Sequence, residues 1–164
     1  MASNIFGDAF YVTGDTKVLQ QVSFLTGAVN SGSGQIPEDD TIPQITEGNE
    51  FMTLSITPKS ASSKLRIDVV FHGGLSGIGL LTVALFKDST ANAIGVSSTV
   101  VPGNQYQQNI VFSTIIDSGA TAATTFKVRA GSSTAVTTTF NGSAATAKFG
   151  GTYRSSIIIT ELEA

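Results

Sequence analysis

Residues 64–71 read KLRIDVVF, and the fold turns on how that run divides. Leu65, Ile67, Val69 and Phe71 alternate with Lys64, Arg66 and Asp68. Successive side chains of a strand point to opposite faces, so this is a strand with one face in a core and one in water. Upstream, Phe51–Thr57 alternates in the same way, with Met52, Leu54 and Ile56 against Thr53 and Ser55. Pro58-Lys59-Ser60 between the two runs is a turn signal. The fold therefore begins as two antiparallel strands.

Working downstream, residues 72–79 (HGGLSGIG) read as a glycine-rich loop. They fit neither dinucleotide-binding nor phosphate-loop spacing, and no Lys-Ser or Lys-Thr pair follows. Strand patterns recur at Leu80–Phe86, Ala91–Val101, Gln105–Ile116, Thr124–Ala130, Thr134–Phe140 and Tyr153–Leu162. Pro102-Gly103-Asn104 and Asp117-Ser118-Gly119 separate some of them as turns. Asn141-Gly142 is a tight-turn dipeptide. Asn141-Gly142-Ser143 also has the spacing of an N-glycosylation acceptor, and we read it as the turn. In the long run Gln105–Ile116, Tyr106, Gln108, Ile110, Phe112, Thr114 and Ile116 share one face. Val111 and Ile115 lie on the other, which implies burial on both sides from Ile110 onward.

Working upstream, Pro37 and Pro43 bracket Glu38-Asp39-Asp40. The spacing does not provide the alternate ligands and closing Glu of a calcium loop, so this is a solvated acidic loop. Asn30-Ser31-Gly32-Ser33-Gly34 has the composition of a flexible linker. Val18–Leu25 suits a strand, with a short amphipathic helix as the alternative. We therefore divide the chain into an N-terminal arm and linker, residues 1–35, and a β domain, residues 36–164. The arm carries Phe6, Phe10 and Tyr11, which either fold back on the domain or anchor it to another protein. The expected class is all-β: an antiparallel sandwich or jelly roll of about eight or more strands.

Composition excludes several functions. The 164 residues suit one domain with an arm. Only 13% are charged, with a net charge of −3, so there is no basic stripe for nucleic acid. The absence of cysteine removes disulfides and thiolate metal sites. His72 is the only histidine, without an acid partner in sequence or a nucleophile-elbow motif nearby. No apolar run approaches the ~20 residues of a membrane-spanning helix. We expect no cofactor, no metal, no membrane partner and no catalysis.

Several segments together resemble a module of tailed-phage virion proteins. They are Lys17–Ser23 (KVLQQVS), Thr26–Val29 (TGAV), Ile36–Gln44 (IPEDDTIPQ) and Thr46–Leu54 (TEGNEFMTL). The likeness continues through Ile56–Ala61 (ITPKSA), Ala84–Ala93 (ALFKDSTANA), Phe149-Gly150-Gly151 and Ser155–Glu161 (SSIIITE). It spans about residues 17–164. The resemblance implies a trimeric jelly roll of the complement-head and tumour-necrosis-factor-like kind, found in tail-fibre tips, head fibres and capsid decorations. In tail fibres the module follows a long shaft, whereas here only about sixteen residues precede the likeness. The expectation is a virion-located homotrimeric knob, made in the bacterial cytoplasm and anchored to capsid or tail proteins by its arm. The alternative is a receptor-binding module for a host surface protein or glycan. Candidate trimer contacts are Ile110, Val111, Phe112 and Ile115. Candidate tip-loop contacts are His72 and Tyr106, in loops 72–79, 102–107 and 142–147.

Overall fold

The computed structural model describes residues 16–164. Eight principal strands form the body: β1 (Val18–Thr26), β3 (Asn49–Ile56), β4 (Lys64–Leu75), β5 (Gly79–Lys87), β6 (Gly95–Val101), β7 (Gln107–Asp117), β8 (Thr124–Ser132) and β12 (Ser155–Leu162). Short strands fill out one end: β2 (Asn30–Gly32), β9 (Thr138–Phe140), β10 (Gly142–Ser143) and β11 (Thr146–Ala147). The principal strands pair antiparallel in two sheets, ordered β1-β12-β4-β7 and β3-β8-β5-β6. Apart from the β5–β6 hairpin, successive principal strands from β3 onward cross between the sheets, which is jelly-roll topology.

Alternation builds the core. Leu65, Ile67, Val69 and Phe71 of β4 face Leu81, Val83 and Leu85 of β5, and Phe126 and Val128 of β8. All are fully buried, and each such side chain contributes about 1.5–3 kcal/mol. A bulge between Glu50 and Met52 breaks the alternation of β3 and turns Phe51 toward the core. There its ring lies 5.7 Å from Phe71 and 5.3 Å from Phe140.

The segment between β2 and β3 crosses the back of the second sheet. Ile36 and Ile45 pack there on Ala84 and Phe86. Alternation alone would leave Phe86 on a wet face; the crossing segment buries it.

Three expectations change. Residues 18–34 belong to the β body. β1 pairs with β12 along its length, and Asn30–Gly32 pairs with Phe140–Thr138. The glycines read as linker serve close packing: a Cβ on Gly34 would lie 2.6 Å from the Gly48 backbone. His72 is in strand β4, not in a loop. Gly73 and Gly74 extend that strand because they admit a neighbour on each side: a Cβ would meet Thr139 O at 2.5 Å and Tyr106 O at 2.3 Å. Finally, the β10–β11 hairpin turns at Ala144-Ala145, both at positive φ, and not at Asn141-Gly142.

Asn141 has another task. It is buried, at φ 55°, and its Nδ2 donates to Thr26 O (2.8 Å) and Ala28 O (3.0 Å). Its Oδ1 accepts from Ser155 Oγ (2.7 Å), whose oxygen in turn accepts from the His72 N–H (2.9 Å). One side chain therefore ties together β1, β4 and β12.

Candidate interaction surfaces

Register decides which side chains share the outer face of the β1-β12-β4-β7 sheet. Directly paired residues point the same way. One row is Leu25, Ser156, Val70 and Val111; another is Gln21, Thr160, Arg66 and Ile115. Val18 sits in the end row with Leu162, Lys64 and Asp117. Val111 is 59% exposed, Ile115 47%, Leu25 57% and Val18 55%. Between them the polar groups satisfy one another. Arg66 Nε meets Asp68 Oδ2 at 3.0 Å, and Ser113 Oγ donates to Asp68 Oδ1 at 2.5 Å. Lys64 pairs with Asp117 beside a hollow of about 240 Å³ that Ile115 and Ile116 also line. The face is strand-built and apolar at its margins.

The four candidate trimer contacts divide across this sheet. Val111 and Ile115 lie on the outer face. Ile110 is 3% exposed and packs in the core, so it is not a surface residue. Phe112 is half-buried against the same core, with Gly95 of β6 beside its ring. Parity along β7 explains the division, since even positions from Ile110 to Ile116 turn inward. The anchor candidates Phe6, Phe10 and Tyr11 lie outside the described residues.

A second surface is the end of the sandwich where β4, β6 and β8 finish and β5, β7 and β12 begin. His72 lies there on β4, its ring 4.3 Å from that of Tyr153. Tyr153 stacks edge-on with Phe149 at 6.0 Å and donates its hydroxyl to Gln108 O at 3.3 Å. Phe149 is 73% exposed, and Tyr106, in the β6–β7 turn, is 57% exposed. Burial lowers the His72 pKa and raises that of Tyr153. His72 Nδ1 is buried without a hydrogen-bond partner, so the uncharged ring is the form that this packing favours. The sequence singled out His72 and Tyr106 but missed Phe149 and Tyr153.

Left-handed backbone is concentrated at this end. Gln105, Asn141, Ala144, Ala145 and Phe149 all have positive φ, and among the described non-glycine residues only Asp88 does so elsewhere. Such conformations cost roughly 1–2 kcal/mol per residue. They gather where surrounding structure imposes a particular loop shape, ligand-binding loops included.

At the opposite end Glu161 is fully buried at the finish of β12. Its carboxylate accepts from the Lys59 and Ser60 N–H groups (2.8 and 3.1 Å), Ser63 Oγ (2.6 Å) and Gln20 Nε2 (2.6 Å). Burial pushes its pKa up, but these donors outweigh burial and hold it below the usual value. The role is structural: the carboxylate closes the Pro58–Ser63 turn.

The acidic loop is similarly self-contained. Asp39 Oδ1 accepts from the Thr41 N–H (2.8 Å) and Oγ (2.5 Å), which lowers its pKa. The loop overhangs a groove of about 370 Å³ floored by Leu80, Thr82, Val96 and Ser98. Among the described residues no group of three His, Asp or Glu side chains is placed to hold a metal ion.

No family model matches the chain, and no curated protein matches it. Solved structures align with the chain at low identity and low structural score. The EclA C-terminal domain, a sugar-binding protein, aligns over 99% of this chain and 87% of its own, at 14% identity and TM-score 0.38. A structure of infectious bursal disease virus, Gx strain, aligns over 98% of this chain and 40% of its own, at 14% identity and TM-score 0.45. The enzymatically active domain of bacteriophage CBA120 tailspike protein 4 aligns over 77% and 20%, at 13% identity and TM-score 0.29. This chain spans 14% of latent PorU from Porphyromonas gingivalis, at TM-score 0.44. At these scores the likenesses carry no functional argument.

Proposed function

We propose that the chain is a non-enzymatic structural protein of a tailed-phage particle. It acts as a homotrimeric knob, a capsid decoration or head-fibre head, held to the particle through its N-terminal segment. The observation that carries this reading is the outer face of the β1-β12-β4-β7 sheet, where Val18, Leu25, Val111 and Ile115 are exposed on rigid strands. Exposed apolar side chains at the two margins of this sheet make it a surface that association would cover. Three copies around an axis cover it and close at finite size. The motif resemblance between Lys17 and Glu161 supports the phage context. Phe6, Phe10 and Tyr11 are the proposed anchors, since aromatic side chains supply much of the energy at protein contacts.

The test is deletion of residues 1–16 followed by incorporation into particles. The truncated protein should remain a soluble trimer and be absent from purified particles; full incorporation would overturn the anchor. A second reading, attachment to a host surface, is favoured by the exposed rings of Tyr106 and Phe149 at one end of the sandwich. These readings are compatible, because they use different surfaces.

A further inference from the structure

We infer that the end of the sandwich carrying Phe149, Tyr153 and Tyr106 is a binding site for an anionic polysaccharide. This deepens the host-attachment reading and does not depend on trimer contacts at Val111 and Ile115.

Charge is the first observation. The chain is acidic overall, yet residues 26–29, 76–78, 102–106 and 133–154, which join the strands at this end, contain no Asp or Glu. They do contain Lys148 and Arg154. Arg154 is exposed, and among the described residues its guanidinium meets no carboxylate; Nε reaches only Gly151 O, at 3.5 Å. The carboxylates nearest this end belong to the start of β3 and to the acidic loop, where Glu38 and Asp39 lie by Leu80 over the second sheet. Glu47 accepts from the Gln44 N–H at 2.9 Å, and Glu50 lies 3.7 Å from Arg129. Lys148 and Arg154 directly flank Phe149 and Tyr153 in the chain, so positive charge adjoins the exposed ring and suits a negatively charged partner there.

Shape is the second observation. Phe149 presents an exposed ring at the head of a stack that runs through Tyr153 to His72. The stack is fixed to the sheet by the Tyr153 hydroxyl and by the place of His72 in β4. A backed, exposed ring offers an apolar platform for the C–H face of a pyranose without ordering cost at binding. Asn104, Gln105 and Gln107 supply amide donors and acceptors beside Tyr106. Rings, amides and unpaired cations together suit a chain of sugars bearing carboxylate or phosphate. A protein partner of ordinary type would want a broader apolar core.

The experiment is equilibrium binding of the full chain to purified bacterial polysaccharides. The probes are a uronate-bearing capsule, its carboxyl-reduced form, a phosphate-bearing teichoic acid and neutral dextran. We expect binding to the uronate or phosphate polymer, at least tenfold weaker binding to the reduced or neutral one, and a loss of tenfold or more in Phe149→Ala and in Arg154→Ala. Preference for the capsule or for the teichoic acid distinguishes carboxylate from phosphate as the source of charge. Both variants should keep native thermal stability, because both side chains are exposed. Failure to bind any charged polymer, equal binding to dextran, or binding untouched by both substitutions would overturn the proposal. Normal particle incorporation of these same variants would leave the structural role standing.

Discussion

Ser63 Oγ donates to Glu161 Oε1 at 2.6 Å across a gap of 98 residues in the chain. This contact joins the last principal strand to the turn before β4. Replacing Glu161 with Gln exchanges an acceptor-only group for one whose amide confronts N–H donors. We expect Glu161→Gln to cost about 1.5–3 kcal/mol at neutral pH, the range for hydrogen bonds to a charged group, measured by chemical denaturation. Glu161 is held below its unfolded pKa, so its stabilisation is present above the unfolded pKa and is lost as pH falls through the folded value. The difference between native chain and variant should therefore shrink on acidification. A constant difference would place the effect elsewhere.

His72 is the only histidine, so one NMR titration curve reports on it. Burial depresses its pKa, and the midpoint should fall below 6.5. Because the charged ring is disfavoured in the folded state, this group contributes full stability above its unfolded pKa and loses it as pH falls toward the folded value. A midpoint above 6.5 would mean that the ring has an anionic neighbour that the packing does not show.

The Ala144-Ala145 turn holds two alanines at φ 48° and 56°. Such a turn favours Asn-Gly. Ala144→Asn with Ala145→Gly should stabilise the chain by about 1 kcal/mol and raise its melting temperature by about 2–4 °C, read by calorimetry. Lower stability would show that the alanine methyl groups pack usefully.

The parts of this structure that were legible in sequence were those governed by alternation. KLRIDVVF divides as written; in β7 the parity holds, with Ile110 and Val111 on opposite faces, but the expected burial on both sides does not, since Val111 and Ile115 are exposed. Glu161 was legible in principle: it follows Ile157 and Ile159 on the inward parity of β12, where a carboxylate must find donors. Its donors, Lys59 and Ser60, are backbone groups of a distant turn, which no local pattern reveals. His72 was misplaced because glycines signal loops, while Gly73 and Gly74 here allow two strands to approach β4. Phe149 and Tyr153 lie in irregular backbone with no period to read. Asn30–Gly34 shows the same ambiguity, since linker composition and tight packing both call for small residues.

Self-association through the outer face of the β1-β12-β4-β7 sheet is tested most directly by the solution mass of the full chain beside the double variant Val111→Lys, Ile115→Lys. Both positions are exposed, so the fold should survive with a change of about 0.5 kcal/mol or less per site. Sedimentation equilibrium should give the mass of three chains for the native protein and of one for the variant. Val100→Lys, equally exposed on the other sheet, should stay trimeric. A native monomer, or a trimer unmoved by lysines at 111 and 115, would contradict the account.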